Sequence, residues 1–167
     1  MRNITSLVAL PLLLTVTVSA GDFSTGLTAY QKKDYATAAK EWRPLAEKGD
    51  APSQFNLGLL YIDGLGVPQD FGQAASWFER SAQQDYAKAQ LNLGALYATG
   101  KGVKRDYVQA YKWLNVCAAK GDQKCVAQRD LVAEKLKPKQ LATAQRLASQ
   151  FQPKQEPGKE DANNPDK

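Results

Sequence analysis

Apolar positions fall at helical spacing along most of this chain, and in three places they fall in the same arrangement. Tyr35, Ala38, Ala39, Trp42 and Ala46 are followed by Phe71, Ala74, Ala75, Phe78 and Ala82, then by Tyr107, Ala110, Tyr111, Leu114 and Ala118. Steps of 3, 1, 3 and 4 residues gather each set on one face of an α-helix. The first of these helices is predicted over 34–48 with Asp34 as its N-cap. The other two start after Asp70 and Asp106, each with a Gln three residues on, the sequence of a capping box. Ahead of each lies another apolar run, predicting helices over 51–61 and 87–97, with a shorter one over 23–32.

The register is longer than one helix. Laid over each other at an offset of 36 residues, 51–86 and 87–122 match at Gln54/Gln90, Asn56/Asn92, Leu57/Leu93, Gly58/Gly94, Leu60/Leu96 and Tyr61/Tyr97. Further matches are Gly64/Gly100, Gly66/Gly102, Val67/Val103, Asp70/Asp106, Ala74/Ala110 and Trp77/Trp113. A period of this size predicts an all-α fold, an α-solenoid of stacked antiparallel helix hairpins that bury their apolar faces only against one another. Gly58 and Gly94 sit mid-helix, where glycine costs about 1 kcal/mol relative to Ala, so a neighbouring helix is expected to approach closely there. The paired glycines of loops 63–69 and 99–105 allow positive φ, and Gly49-Asp50 and Gly121-Asp122 make the turns between units.

The pattern A-x-x-Q-x-N-L-G-x-L-Y-x-x-G-x-G-V-x-x-D, read from Ala51 to Asp70 and again from Ala87 to Asp106, resembles the Sel-1-like repeat family, a tetratricopeptide-related group of helical solenoids. The resemblance implies about two and a half repeats: a degenerate unit over 21–50, full repeats over 51–86 and 87–122, and capping helices over 123–151, split at 137/138 with Pro138 in the first turn of the last. On that last helix Leu141, Ala144, Leu147, Ala148 and Phe151 form the apolar face. Residues 152–167 carry proline, charge and amide and are expected to be disordered.

Residues 1–20 stand apart. Arg2, an apolar run from Ile4 to Val18 and the small residues that Val18-Ser19-Ala20 offers at the two positions a signal peptidase reads predict a signal peptide cleaved after Ala20, hence a periplasmic or secreted protein without a membrane span in the mature chain. The remainder, in a chain of 167 residues that is 43% hydrophobic and 23% charged, suits one domain. The net charge of +5 is scattered, with no stripe or stacking platform for nucleic acid, and a monomer is expected. The chain has no His, which removes His-based catalysis and most metal sites, and no cofactor is expected.

Two features carry candidate chemistry. Cys117 and Cys125 lie four residues either side of Gly121, at similar heights on neighbouring antiparallel helices; in an oxidising compartment the expectation is a bridge rather than a pair of free buried thiols. Their spacing also resembles that of bridging cysteines in the Helicobacter cysteine-rich proteins. By register with tetratricopeptide arrays, Phe55, Asn56, Leu59, Ile62, Lys88, Leu91, Asn92, Ala95 and Thr99 line a groove suited to a protein or peptide partner; the alternative is that Asn56 and Asn92 hold the hairpins together and that Phe55 or Leu59 is core. Trp77 and Trp113 recur at one repeat position, which points to packing rather than ligand stacking. The cysteine-rich relatives imply an alternative, β-lactam or cell-wall peptide binding with weak hydrolase activity. The chain lacks S-x-x-K, S-D-N and K-T-G, so the reading is a non-catalytic interaction module, a scaffold or regulator in the cell envelope.

Overall fold

A computed structural model describes residues 21–154 and 156; the leader expected over 1–20 lies outside the described residues. Eight helices follow in order: α1 (Phe23–Gln31), α2 (Tyr35–Glu47), α3 (Ala51–Asp63), α4 (Phe71–Gln83), α5 (Ala87–Thr99), α6 (Tyr107–Ala118), α7 (Gln123–Ala133) and α8 (Pro138–Ser149). There is no strand among the described residues. From α1 to α7 each helix packs against the one before and the one after it, as a solenoid requires.

Most helix starts are set by an aspartate. The carboxylates of Asp22, Asp34, Asp50, Asp70, Asp106 and Asp122 each accept a hydrogen bond from a backbone N–H of the first turn. The capping boxes expected at Asp70 and Asp106 form only by half. The cap N–H groups, which Gln73 and Gln109 would have to engage, donate instead to the carbonyls of Tyr61 and Tyr97 at 3.0 and 2.9 Å, closing the seven-residue loop of each hairpin. A Gln does reach back at α8, where the Lys137 N–H donates to Gln140 Oε1 at 3.0 Å.

Helix ends differ from expectation by a few residues, for local reasons. α3 and α5 run two residues past Tyr61 and Tyr97, until Gly64 and Gly100 turn left-handed at φ 66° and 76°. α7 stops at Ala133 rather than Lys137: the Lys135 and Leu136 N–H groups donate to the Val132 and Ala133 carbonyls in tighter turns, and Lys137, the residue before proline, sits extended at ψ 155°. α8 ends at Ser149, and Phe151 leaves the helix to meet the Trp113 ring edge-on at 5.6 Å. The short connection before α8 also changes its place: it lies on α6 instead of closing a hairpin with α7.

Three apolar clusters run along the stack. Trp42 with Leu57, Leu60 and Trp77 joins the first two units, Phe78 with Phe55, Leu93, Leu96 and Trp113 the next two, and Leu114 with Tyr111, Val132 and Ala144 the last. Trp42, Phe78 and Leu114 occupy one repeat column and are fully buried, each contributing about 2–3 kcal/mol by area removed from water. The second glycine of each loop, Gly66 and Gly102, lies at φ 68° and 72° on the backbone of Tyr35 and Phe71, where a Cβ would overlap the carbonyl group. Each loop thus seats on the first residue of the second helix in the preceding unit.

Gln152 to Lys154 and Glu156, the near part of the segment expected to be disordered, run back across α4. The Lys154 N–H donates to the Gln83 carbonyl at 2.8 Å, and Glu156 reaches Arg80.

Candidate functional site

The groove-lining residues expected from register divide into three groups. Phe55 belongs to the core: it is 9% exposed, with its ring 5.8 Å from that of Phe78 and 5.3 Å from that of Tyr86. Of the two places open to it, groove and core, the ring takes the core, between Phe78 of α4 and Tyr86, the residue before α5. Asn56, Leu59 and Ile62 are half-buried, the two aliphatic chains resting against the same core. Lys88 and Thr99 are exposed, and Leu91, Asn92 and Ala95 lie between them on one side of α5.

Leu91, Asn92 and Ala95 face Lys124, Ala127, Gln128 and Leu131 of α7 across a depression of about 380 Å³. The α7 residues were not expected, yet the signal was present: they stand one further period along, 88 to 124, 91 to 127, 92 to 128 and 95 to 131. The match was hidden because the family pattern decays after Asp122, while the face it serves persists. Leu131 is 61% exposed, the most exposed large apolar side chain described. The Asn92 amide donates to the Lys88 carbonyl and the Thr99 hydroxyl to that of Ala95, both at 2.8 Å, so these polar groups are satisfied within α5. Among the described residues, neither Lys88 nor Lys124 is in an ion pair.

Next to this groove Cys117 and Cys125 are joined in a disulfide with their Cα atoms 5.8 Å apart, tying α6 to α7. Both are fully buried. A carboxylate oxygen of Asp122 lies within 4.8 Å of the two sulfurs, but they are bonded to each other, and the carboxylate caps α7 by accepting from the N–H groups of Lys124 and Cys125 at 2.8 and 3.2 Å.

A second depression, of about 290 Å³, opens between α4, α6 and the segment after α8, lined among others by Glu79, Lys112, Trp113, Phe151 and Lys154. The Lys112 amine stands 4.1 Å from the centre of the Trp113 indole. Burial pushes Lys112 below the usual lysine range; Glu79 opposes the shift and Lys154 adds to it. Trp113 is otherwise enclosed by the core, and Trp77 is covered by the Arg80 guanidinium at 4.8 Å, which accords with a packing role for both indoles.

Comparison with known proteins bears on the same residues. The Sel1 repeat model matches residues 51–86 and 87–122. No curated protein matches the chain. The crystal structure of a protective antigen present in uropathogenic Escherichia coli strains, displaying an SLR fold, is 35% identical with a TM-score of 0.73, over 75% of this chain and 28% of that one. A Sel1 repeat protein from Oxalobacter formigenes is 29% identical with a TM-score of 0.63, over 78% of this chain and 56% of that one. The chain therefore spans little more than a quarter and little more than half the length of these two similar structures. The repeat pattern, the hairpin geometry and the solved structures agree: residues 51–86 and 87–122 are Sel1 repeats, and the described residues form an all-helical solenoid with the fold of the Sel1-repeat structures.

Proposed function

We propose that this protein is an exported, non-catalytic binding module that takes an extended or helical segment of a partner protein between α5 and α7. Sel1 repeats are typically protein–protein interaction modules, and the observation that carries the specific reading is the pair of matched stripes. Leu91 and Ala95 on α5 oppose Ala127 and Leu131 on α7, with Lys88 and Lys124 at one end. Apolar anchors beside cations that are in no ion pair among the described residues suit a segment with aliphatic side chains and a nearby carboxylate. The buried disulfide, and similarity to a protein described as a protective antigen, support export to the periplasm or beyond. A scaffold or regulatory role in the envelope follows from that location.

The test is selection of peptides on the intact protein, followed by binding to Leu131→Glu. Leu131 is chosen over Leu59 because its exposure leaves the core untouched, so the variant should melt with the wild type. Selected peptides should lose at least about tenfold in affinity, the equivalent of 1.4 kcal/mol. Undiminished binding would move the site to another face. Failure to select any peptide, together with nitrocefin turnover by the wild type, would favour the hydrolase reading.

A further inference from the structure

Gln54 and Gln90 occupy the same position in the two Sel1 repeats, both fully buried, and their side-chain amides do the same thing twice. Gln54 Nε2 donates to the Ala46 carbonyl at 3.0 Å, and Gln90 Nε2 to the Ala82 carbonyl at 3.2 Å. Each amide then makes a second bond to a carboxylate. For Gln90 the acceptor is Asp85 Oδ1 at 3.0 Å, supplied by the turn just ahead of its own helix, and Lys120 neutralises it at 2.6 Å. One repeat earlier, the position of Asp85 is Gly49, which has no side chain to offer. There the carboxylate comes from far away: Gln54 Nε2 donates to Glu156 Oε2 at 3.1 Å, 102 residues along the chain.

The cation has changed with it. Arg80 donates from Nε to Glu156 Oε1 at 2.9 Å and from Nη2 to Oε2, the two-pronged geometry that guanidinium groups offer carboxylates. Two further contacts hold the guanidinium. It lies over the Trp77 indole at 4.8 Å, and Nη2 also donates to the Glu47 carbonyl at 3.3 Å. The bond to Glu156 is the main reason that Arg80 is pushed above the usual arginine range. Gly49, at φ 94°, keeps the space clear, since a Cβ there would come within 2.7 Å of Glu156 Cβ.

We propose that Gln54, Arg80 and Gly49 form a carboxylate socket, that Glu156 fills it in cis as a tethered ligand, and that an acidic side chain of a partner peptide can take its place. Three observations make the socket a receptor rather than a private ion pair. Its amide is a fixed part of the repeat, and one unit on the equivalent Nε2 makes the same pair of bonds, to a helix-end carbonyl and a carboxylate. Its natural filler is missing at Gly49. Its occupant arrives on a segment outside the helices, whose other backbone hydrogen bond to a helix among the described residues runs from the Lys154 N–H to the Gln83 carbonyl. A tethered occupant raises the concentration an outside competitor must reach, so the tail acts as a latch on the site. This inference does not rest on the α5/α7 groove, which lies on other residues.

The experiment uses the full-length protein, labelled so that the Arg80 Nε–Hε resonance is observed, and a synthetic peptide with the sequence of Gln152 to Glu160 as the probe. In the wild type the Arg80 Hε should exchange slowly with solvent; in Glu156→Gln it should exchange at least about tenfold faster. Adding the peptide to Glu156→Gln should restore slow exchange, and the same peptide with Gln at position 156 should not. The acidic peptide should bind Glu156→Gln at least about tenfold more tightly than it binds the wild type. Arg80→Gln, with an unchanged melt, should abolish the difference. Failure of the acidic peptide to restore protection overturns the receptor. Equal affinity for wild type and Glu156→Gln overturns the latch.

Discussion

Gly58 faces the ring of Phe78 so closely that a Cβ placed on it would stand 2.6 Å from Cδ1. The glycine therefore fixes how near α3 and α4 come, and Phe78, fully buried, fills the space that a side chain would take. Gly94 repeats the arrangement against Leu114, with a Cβ position 2.7 Å from Cγ. By helix propensity alone, Gly58→Ala should stabilise by about 1 kcal/mol. Overpacking against the aromatic ring reverses the sign, and a net loss of about 1–3 kcal/mol is expected in urea unfolding. Gly94→Ala should cost less, because a leucine side chain yields more easily than a ring. A gain in stability for Gly58→Ala would show that the hairpin is not packed as described.

Reducing the Cys117–Cys125 bridge releases a loop of 8 residues' separation and should lower stability by about 2–3 kcal/mol on the chain-entropy account. Because the bridge lies at the α6–α7 turn, hydrogen exchange should accelerate first in α7 and the α5/α7 groove, and least in α1 to α3. Uniform acceleration across all the helices would mean that the bridge does not act locally.

Asp85 adopts φ 67°, a left-handed conformation that glycine holds at Gly49 and Gly121 in the neighbouring units. For an ordinary side chain this conformation costs about 1–2 kcal/mol, and aspartate tolerates it better than most. Asp85→Ala loses the Lys120 ion pair and adds strain, whereas Asp85→Gly loses the ion pair and relieves strain. Melting temperatures should fall in the order wild type, Asp85→Gly, Asp85→Ala; a reversal of the last two would remove backbone strain from the account.

Asp34 caps α2 through the Thr37 side chain and N–H, which hold its carboxyl below the usual aspartate range. A folded-state pKa below the unfolded value stabilises above the unfolded pKa, and the contribution is lost as pH falls through the folded one. The gap in Tm between wild type and Asp34→Ala should thus be full at neutral pH and shrink only in strong acid. A gap independent of pH would assign the cap to shape rather than charge.

Much of this architecture was legible in the residue pattern because a repeat records its own contacts. The column of Trp42, Phe78 and Leu114 marked the buried face, the glycine pairs marked the left-handed turns, and the two cysteines flanking Gly121 marked a bridge that a tight turn brings within reach. Each of these depends on neighbours within one or two helices, so spacing alone encodes it. Phe55 reads as groove or core, because the register that aims a side chain at the groove cannot tell whether Phe78 and Tyr86 close over it. Leu131 escaped notice because the pattern fades where the face continues.

The sequence by itself determined the period, the helices, the aspartate caps at Asp34, Asp70 and Asp106 and the order in which α1 to α7 stack, since these follow from local geometry and from burial of a face that recurs every 36 residues. Only the tertiary structure decided where α8 lies and where the chain after it runs. Nothing within a few residues of Glu156 points to Arg80, 76 positions away; the pairing arises because Gly49 leaves a buried amide without its carboxylate, and a buried donor finds the acceptor that folding brings to it.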